Sequence, residues 1–250
     1  MSEPSGADAS TACDGRWRPA RVRDFLRASL IDPVPRDHRQ SRRDFRRRQV
    51  ITATITVLGA AVLAWGLNVE PGSPWFYVAT LALAAVWASG AFASGPLHLG
   101  RIDHRPAPRR PVVAPVVLGL GLAVVFVLGA LVVREIDPLE GAVDDVLAFA
   151  RQGSAPLVLL ITITNAIAEE LFFRGALYAA VPGRRQVLVT TLVYTLVTVA
   201  SGNVMLGFAA AVLGTVVGLQ RAASGGVLAP ILTHVSWSVT VLLVLPVVFG

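Results

Sequence analysis

Long apolar runs separated by short polar connections make up most of this chain. Seven runs stand out, at residues 50–67, 75–93, 112–133, 155–181, 186–200, 204–220 and 227–249. A helix needs roughly 20 apolar residues to cross the hydrocarbon core of a bilayer. Most of the runs approach that length, and 186–200 is the short one. The pattern predicts an all-α protein, a polytopic transmembrane helix bundle of about seven spans. Only two runs are interrupted by ionisable groups. The fourth carries Glu169, Glu170 and Arg174, and the seventh carries His234.

The connections set the orientation. Residues 1–49 hold 12 arginines against 7 acids, a net charge that favours the cytoplasmic side. Arg101, Arg105, Arg109 and Arg110 fall between runs two and three, Arg184 and Arg185 between four and five, and Arg221 between six and seven. The alternate connections are neutral, or acidic as at Glu135, Asp137, Glu140, Asp144 and Asp145. Basic and non-basic loops therefore alternate, which places the N-terminus inside and the C-terminus outside. Three regions follow. Residues 1–49 form an arginine-rich cytoplasmic arm, largely disordered. Residues 50–111 hold two N-terminal spans and a basic loop, and 112–249 hold the core. Within the arm, Trp17, Val22, Phe25, Leu26 and Leu30 alternate with arginines, which fits either a short interfacial helix or a solvated arm. Ser41-Arg42-Arg43-Asp44-Phe45 looks like a twin-arginine export signal, but a positive flank holding the arm inside accounts for it better. Residues 137–151 read as an amphipathic helix on the outer surface.

Composition adds three constraints. The chain is 54% hydrophobic, with a mean hydropathy of +0.63. All 22 basic residues are arginine, which reads as the codon bias of a GC-rich bacterial genome. A bacterial cytoplasmic (inner) membrane, crossed several times, is the expected location. Because the arginines flank apolar spans, the net charge of +6 points to membrane orientation and anionic lipid, and no nucleic-acid partner is expected. The single Cys13 excludes an internal disulfide and a cysteine-based metal site.

Ionisable groups at membrane depth are costly, so by default they mark function. Glu170 and Arg174 are spaced i,i+4 and share a helix face. Glu169 points about 100° away on a helix of 3.6 residues per turn. The arginine can hold one carboxylate while its neighbour stays free for chemistry. His234 and Ser238 share a face of the last span, and His234 lies at a depth similar to that of the two glutamates. Gly207, Ala211, Gly214 and Gly218 form a small-residue stripe in the sixth run, read as a close helix contact.

Glu169-Glu170-Leu171-Phe172-Phe173-Arg174 resembles the Glu-Glu-x-x-x-Arg motif of the CPBP family, the CAAX-protease and bacteriocin-processing intramembrane proteins also called Abi proteins. The similarity covers about residues 155–249. The family's second motif, Phe-x-x-x-His, stands here as Tyr194-x-x-x-Thr198, with its histidine replaced. The third, His-x-x-x-Asn, stands as His234-x-x-x-Ser238. The resemblance implies an intramembrane endopeptidase that hydrolyses a peptide bond of a membrane-associated peptide or protein with glutamate-activated water. It implies Glu169 as general base, Glu170 paired with Arg174 to orient the site, and His234 to polarise or protonate the substrate. Ser238 would support an oxyanion, and Tyr194 would supply a hydrogen bond lost with the histidine. Thr198 is expected to face Glu169 and His234. Water activation without a metal is expected; a divalent ion such as zinc, if bound, would have Glu169, Glu170 and His234 as its donors. Two other functions compete: a catalytically silent membrane scaffold, favoured by Thr198, and a proton-coupled transporter, against which no internal repeat is seen.

Overall fold

The structure is a computed structural model that describes residues 19–34, 39–101 and 109–249. The start of the arm, with Cys13 and Trp17, and Arg105 of the basic loop lie outside the described residues. Nine helices make up the described chain, in line with the all-α expectation. They are α1 (Pro19–Leu30), α2 (Arg42–Leu67), α3 (Pro74–Ser94), α4 (Val113–Val133) and α5 (Asp137–Gln152), followed by α6 (Ala155–Ala180), α7 (Gln186–Val199), α8 (Val204–Ser224) and α9 (Leu228–Val248). Six of them, α2, α3, α4, α6, α8 and α9, are long and apolar enough to cross a membrane, so the chain is a multi-pass membrane protein. The expected span at 186–200 is a helix of 14 residues, which falls short of that length. Gly183 ahead of it, in the left-handed region at φ 75°, and the turn at Ser201-Gly202 behind it stop it at both ends.

Helices dominate because an apolar medium offers the backbone no other hydrogen-bond partner. Their starts are specified locally. The Ser41 side chain accepts from the Asp44 amide, and Ser73 caps α3 just before Pro74. Asn203 accepts from the Met205 and Leu206 amides. Arg42 to Leu67 is one unbroken helix, so the twin arginines form the basic first turns of α2. Of the two readings of the arm around residue 25, the helix is the one seen, as α1, and it packs on α8. In α5, Phe149 is buried and stacks on Phe76 of α3 at 4.4 Å.

The connections between the helices gather at two ends of the bundle. At one end the Gln40 and Gln49 side chains donate to the carbonyls of Ala179 and Ala180. There the segment after α3 also lies against the α8–α9 turn, with the Val227 amide donating to the His98 carbonyl at 2.8 Å. The crossing is tight: a side chain at Gly100 (φ 81°) would run into the Ser224 carbonyl at 2.6 Å. At the other end the Ser154 amide donates to the Tyr77 hydroxyl, and the Asn203 amide group to the Ala142 carbonyl. Among the described residues, the first end carries Arg42, Arg43, Arg46, Arg47, Arg48, Arg101, Arg109, Arg110, Arg184, Arg185 and Arg221, and the second Arg134 and Arg151. The middle of α6 is the hub, in contact with α2, α3, α7, α8 and α9.

Candidate active site

The functional stretch of α6 is not a regular α-helix. Residues Ala155–Glu169 are α-helical, and Glu170–Leu177 form a π-helix before the α-form resumes. A π turn closes i→i+5 bonds, is rare, and concentrates at functional sites. Here it carries the motif itself. Seven of its eight residues are buried: Glu170, Phe172, Phe173, Arg174, Gly175, Ala176 and Leu177. With its charged pair buried along with its apolar residues, the segment must be surrounded on every side, and the five neighbouring helices do this. Phe172 and Phe173 pack on Trp87 of α3 with ring centroids 4.7 and 5.0 Å away, and Phe173 meets Tyr194 of α7 at 4.8 Å. Those contacts fix both the helix and the tyrosine that serves the site.

Two glutamates, adjacent in sequence, have separate surroundings. Glu170 and Arg174 are both fully buried. Oε1 of Glu170 accepts from Nη1 of Arg174 at 3.1 Å and lies 2.8 Å from Nδ1 of His234 on α9. Its Oε2 has no hydrogen-bond partner among the described residues. Glu169, only partly buried, accepts from the Tyr194 hydroxyl at 2.7 Å. The Tyr194 ring lies 4.6 Å from the Arg174 guanidinium carbon, a cation–π contact. Glu169, Glu170, Arg174, Tyr194 and His234 thus form one connected cluster from three helices.

Thr198 and Ser238 are placed differently. The Thr198 hydroxyl donates to the Tyr194 carbonyl of its own helix at 2.9 Å. No described hydrogen bond joins Thr198 to Glu169 or His234. Ser238 is partly buried one turn beyond His234, and no hydrogen bond of its side chain is described.

Several supporting residues escaped sequence reasoning. Gly214 of the small-residue stripe packs against α7 and also beds the arginine. A side chain there would meet Nη2 of Arg174 at 3.1 Å and the Tyr194 ring at 3.3 Å. Arg221, read only as a positive flank, donates from Nε to the Arg174 carbonyl at 2.7 Å and lies over the Tyr178 ring. Gln220 donates to Thr233, whose hydroxyl donates to the Pro115 carbonyl, and this ties α8, α9 and α4 together beside His234. The available signal was two isolated polar residues, Gln220 and Thr233, each inside an otherwise apolar helix.

A metal ion does not suit these side chains. His234 spends Nδ1 on Glu170, Glu169 is held by a tyrosine hydroxyl, and a guanidinium cation already sits on Oε1 of Glu170. The donors pair with one another instead of converging on one point. No group of three His, Cys, Asp or Glu side chains among the described residues is arranged to hold an ion.

No curated protein and no solved structure matches the chain. Residues 151–240 match the family model described as Type II CAAX prenyl endopeptidase Rce1-like. That stretch runs from the end of α5 into α9 and contains every residue of the cluster. Over residues 151–240, therefore, the chain is similar to the Rce1-like family of type II CAAX prenyl endopeptidases.

Proposed function

We propose that the protein is an intramembrane endopeptidase that hydrolyses a peptide bond of a membrane-associated peptide or protein, in a bacterial cytoplasmic membrane, without a metal. The observation that carries this reading is the division of labour between the two glutamates. Glu170 is clamped by Arg174 and His234, while Glu169 keeps accessible surface and only one protein partner. Glu169 is the general base. It takes a proton from water as the water oxygen attacks the carbonyl carbon, and the C–N bond breaks as the amide nitrogen gains a proton. Glu170 fixes the His234 ring through Nδ1, which leaves Nε2 to face the substrate and polarise its carbonyl or protonate the leaving nitrogen. Ser238, which shares a face of α9 with His234, supplies a hydrogen bond to the oxyanion, while the Tyr194 hydroxyl, donated to Glu169, positions the base.

The test is turnover of a membrane-peptide library by purified protein in liposomes. Glu169→Gln keeps shape but cannot accept the proton, so cleavage should vanish while helicity and unfolding temperature stay unchanged. Chelation by EDTA should leave wild-type cleavage intact. Wild-type rates from Glu169→Gln would remove Glu169 as the base. A second reading, a silent scaffold, is favoured by one observation: the Thr198 hydroxyl is committed to its own helix where the family motif has a histidine. Cleavage of nothing by wild type, together with co-purification of one defined membrane protein, would establish it.

A further inference from the structure

Asn165 of α6 lies outside the Glu-Glu-x-x-x-Arg stretch, one turn ahead of it. It stands on the regular α-helical part of α6, four residues before Glu169 and away from the arginine-rich end. Residues spaced i,i+4 share a helix face, with Cβ atoms about 5–6 Å apart. Its Nδ2 donates to the Ile161 carbonyl at 2.9 Å and to the Thr80 carbonyl of α3 at 3.2 Å. Those two bonds fix the amide, because turning it over would set its oxygen against two carbonyl oxygens. Both protons are thereby used, and Oδ1 is left as a pure acceptor. That oxygen is buried and has no hydrogen-bond partner among the described residues. A tie between α3 and α6 accounts for the nitrogen. It does not account for the oxygen, since a buried acceptor without a partner lowers stability. The helices on either side leave a way in. Phe173, four residues past Glu169, touches both Trp87 of α3 and Tyr194 of α7 and fills the space between those helices there. Apart from such bridging side chains, α3 and α7 share no packed interface among the described residues. Glu169 and Asn165 both keep accessible surface.

We propose that Asn165 binds the substrate backbone, its Oδ1 accepting a peptide N–H beside the bond that is cut. The inference rests on the peptidase reading. A substrate segment has to unwind before one of its carbonyl carbons can lie open to water at Glu169. The N–H groups it frees find no water to bond at membrane depth, and each one left unpaired is costly. Extended peptides are held by fixed protein groups that take their main-chain hydrogen bonds. Asn165 supplies such an acceptor one turn from the base and on the same face. With no proton left to donate, it suits an N–H and not a carbonyl. Substrate entering between α3 and α7 would uncover the oxygen and satisfy it in one step.

The experiment uses the full-length protein in liposomes and a library peptide that wild type cleaves. That peptide is remade with an N-methyl group on one amide at a time, the scissile amide excepted, which removes a single N–H. Wild type, Asn165→Leu and Asn165→Thr are compared on the whole set. Leu keeps the shape, Thr keeps a donor for the Ile161 carbonyl, and neither keeps the amide oxygen. Two variants leave the test standing if one folds poorly, and unfolding temperature checks both. Methylation of one amide near the scissile bond should raise KM for wild type about tenfold, the worth of one hydrogen bond. Both variants should show the raised KM already on the plain peptide and gain no further loss from that methyl group. A helix-packing role alone would not produce this match between one side chain and one N–H. If every methylated peptide loses as much with the variants as with wild type, the proposal is overturned and the peptidase reading stands. A fall in kcat alone, independent of methylation, also overturns it, because the oxygen then holds the attacking water. If wild type cleaves no peptide at all, the peptidase reading fails and this inference falls with it.

Discussion

Glu170 accepts from a guanidinium and an imidazole at the same oxygen, inside the protein, with no exposed surface of its own. Removing Arg174 would leave that carboxylate buried with one partner. Arg174→Ala should therefore cost about 3–5 kcal/mol, the usual penalty for breaking a buried pair, measurable as denaturant or thermal unfolding in detergent. Adding Glu170→Gln to it should recover part of the loss, since the stranded charge goes with the glutamate. A stability change below about 0.5 kcal/mol in Arg174→Ala would mean that the pair carries little. Thr198 supplies a contrasting case. Its hydroxyl bonds the carbonyl one turn back, a local bond of little consequence in a helix. Thr198→Val should leave both stability and any turnover within about twofold of wild type; a tenfold loss of turnover would bring Thr198 back into the site. The Glu170–Arg174 contact was legible in the sequence because helical spacing alone brings i and i+4 together. The contacts of Glu169 with Tyr194 and of Glu170 with His234 were not, because they join residues 25 and 64 positions apart. Matching depth and the motif resemblance put these residues in one layer, but which glutamate meets which partner depends on how the helices rotate.

That rotation is where periodicity fails at the scale of the element. An apolar pattern predicts helix and length well, and the bounds of α3, α4, α6, α8 and α9 follow the runs closely, whereas α2 starts at Arg42, well ahead of the apolar run that begins at residue 50. It cannot predict a π turn, because Glu170 and Arg174 at i,i+4 fit a regular helix, and whether the backbone bonds close i→i+4 or i→i+5 leaves no mark in an apolar pattern. The π-helix at Glu170–Leu177 instead follows from what packs around it. Trp87 is central to that packing, and the outer edge of its indole lies against Gly59 of α2, where an added side chain would overlap the ring. Gly59→Ala should therefore displace Trp87 from Phe172 and Phe173 and cost about 1–3 kcal/mol, as overpacking does. Indole fluorescence and thermal unfolding read the two effects together, and an unchanged spectrum with unchanged stability would show that the ring is free to move. Gly214 tells the same story from α8. It was legible as part of a small-residue stripe, but its second use, as space for the Arg174 guanidinium, depends on a partner from α6 that no local pattern specifies.

At the scale of the molecule, α7 decides how many times the chain crosses the membrane. It is 14 residues long, about 21 Å at 1.5 Å per residue, against a hydrocarbon core of about 30 Å. Its two ends nevertheless lie at opposite ends of the bundle. The Gln186 side chain donates to the Tyr178 and Val181 carbonyls at the arginine-rich end. After Val199, the chain turns through Ser201 and Gly202 to Asn203, which bonds Ala142 at the other end. The chain thus passes from one end to the other between α6 and α8, and a short helix can do so where its neighbours bury it or where the bilayer thins. Counting α7 gives seven crossings, an odd number, which puts the two ends of the bundle's path on opposite sides. Clustering of the arginines at one end predicts that this end is cytoplasmic. A reporter inserted in the 101–110 loop should then be active on the cytoplasmic side, and one fused after Gly250 on the outer side. Cysteine labelling of Ser201→Cys by a membrane-impermeant thiol reagent should succeed from outside, against a Cys13→Ala background. A C-terminal reporter found on the same side as the 101–110 loop would exclude α7 as a crossing and leave the six long helices as the only spans.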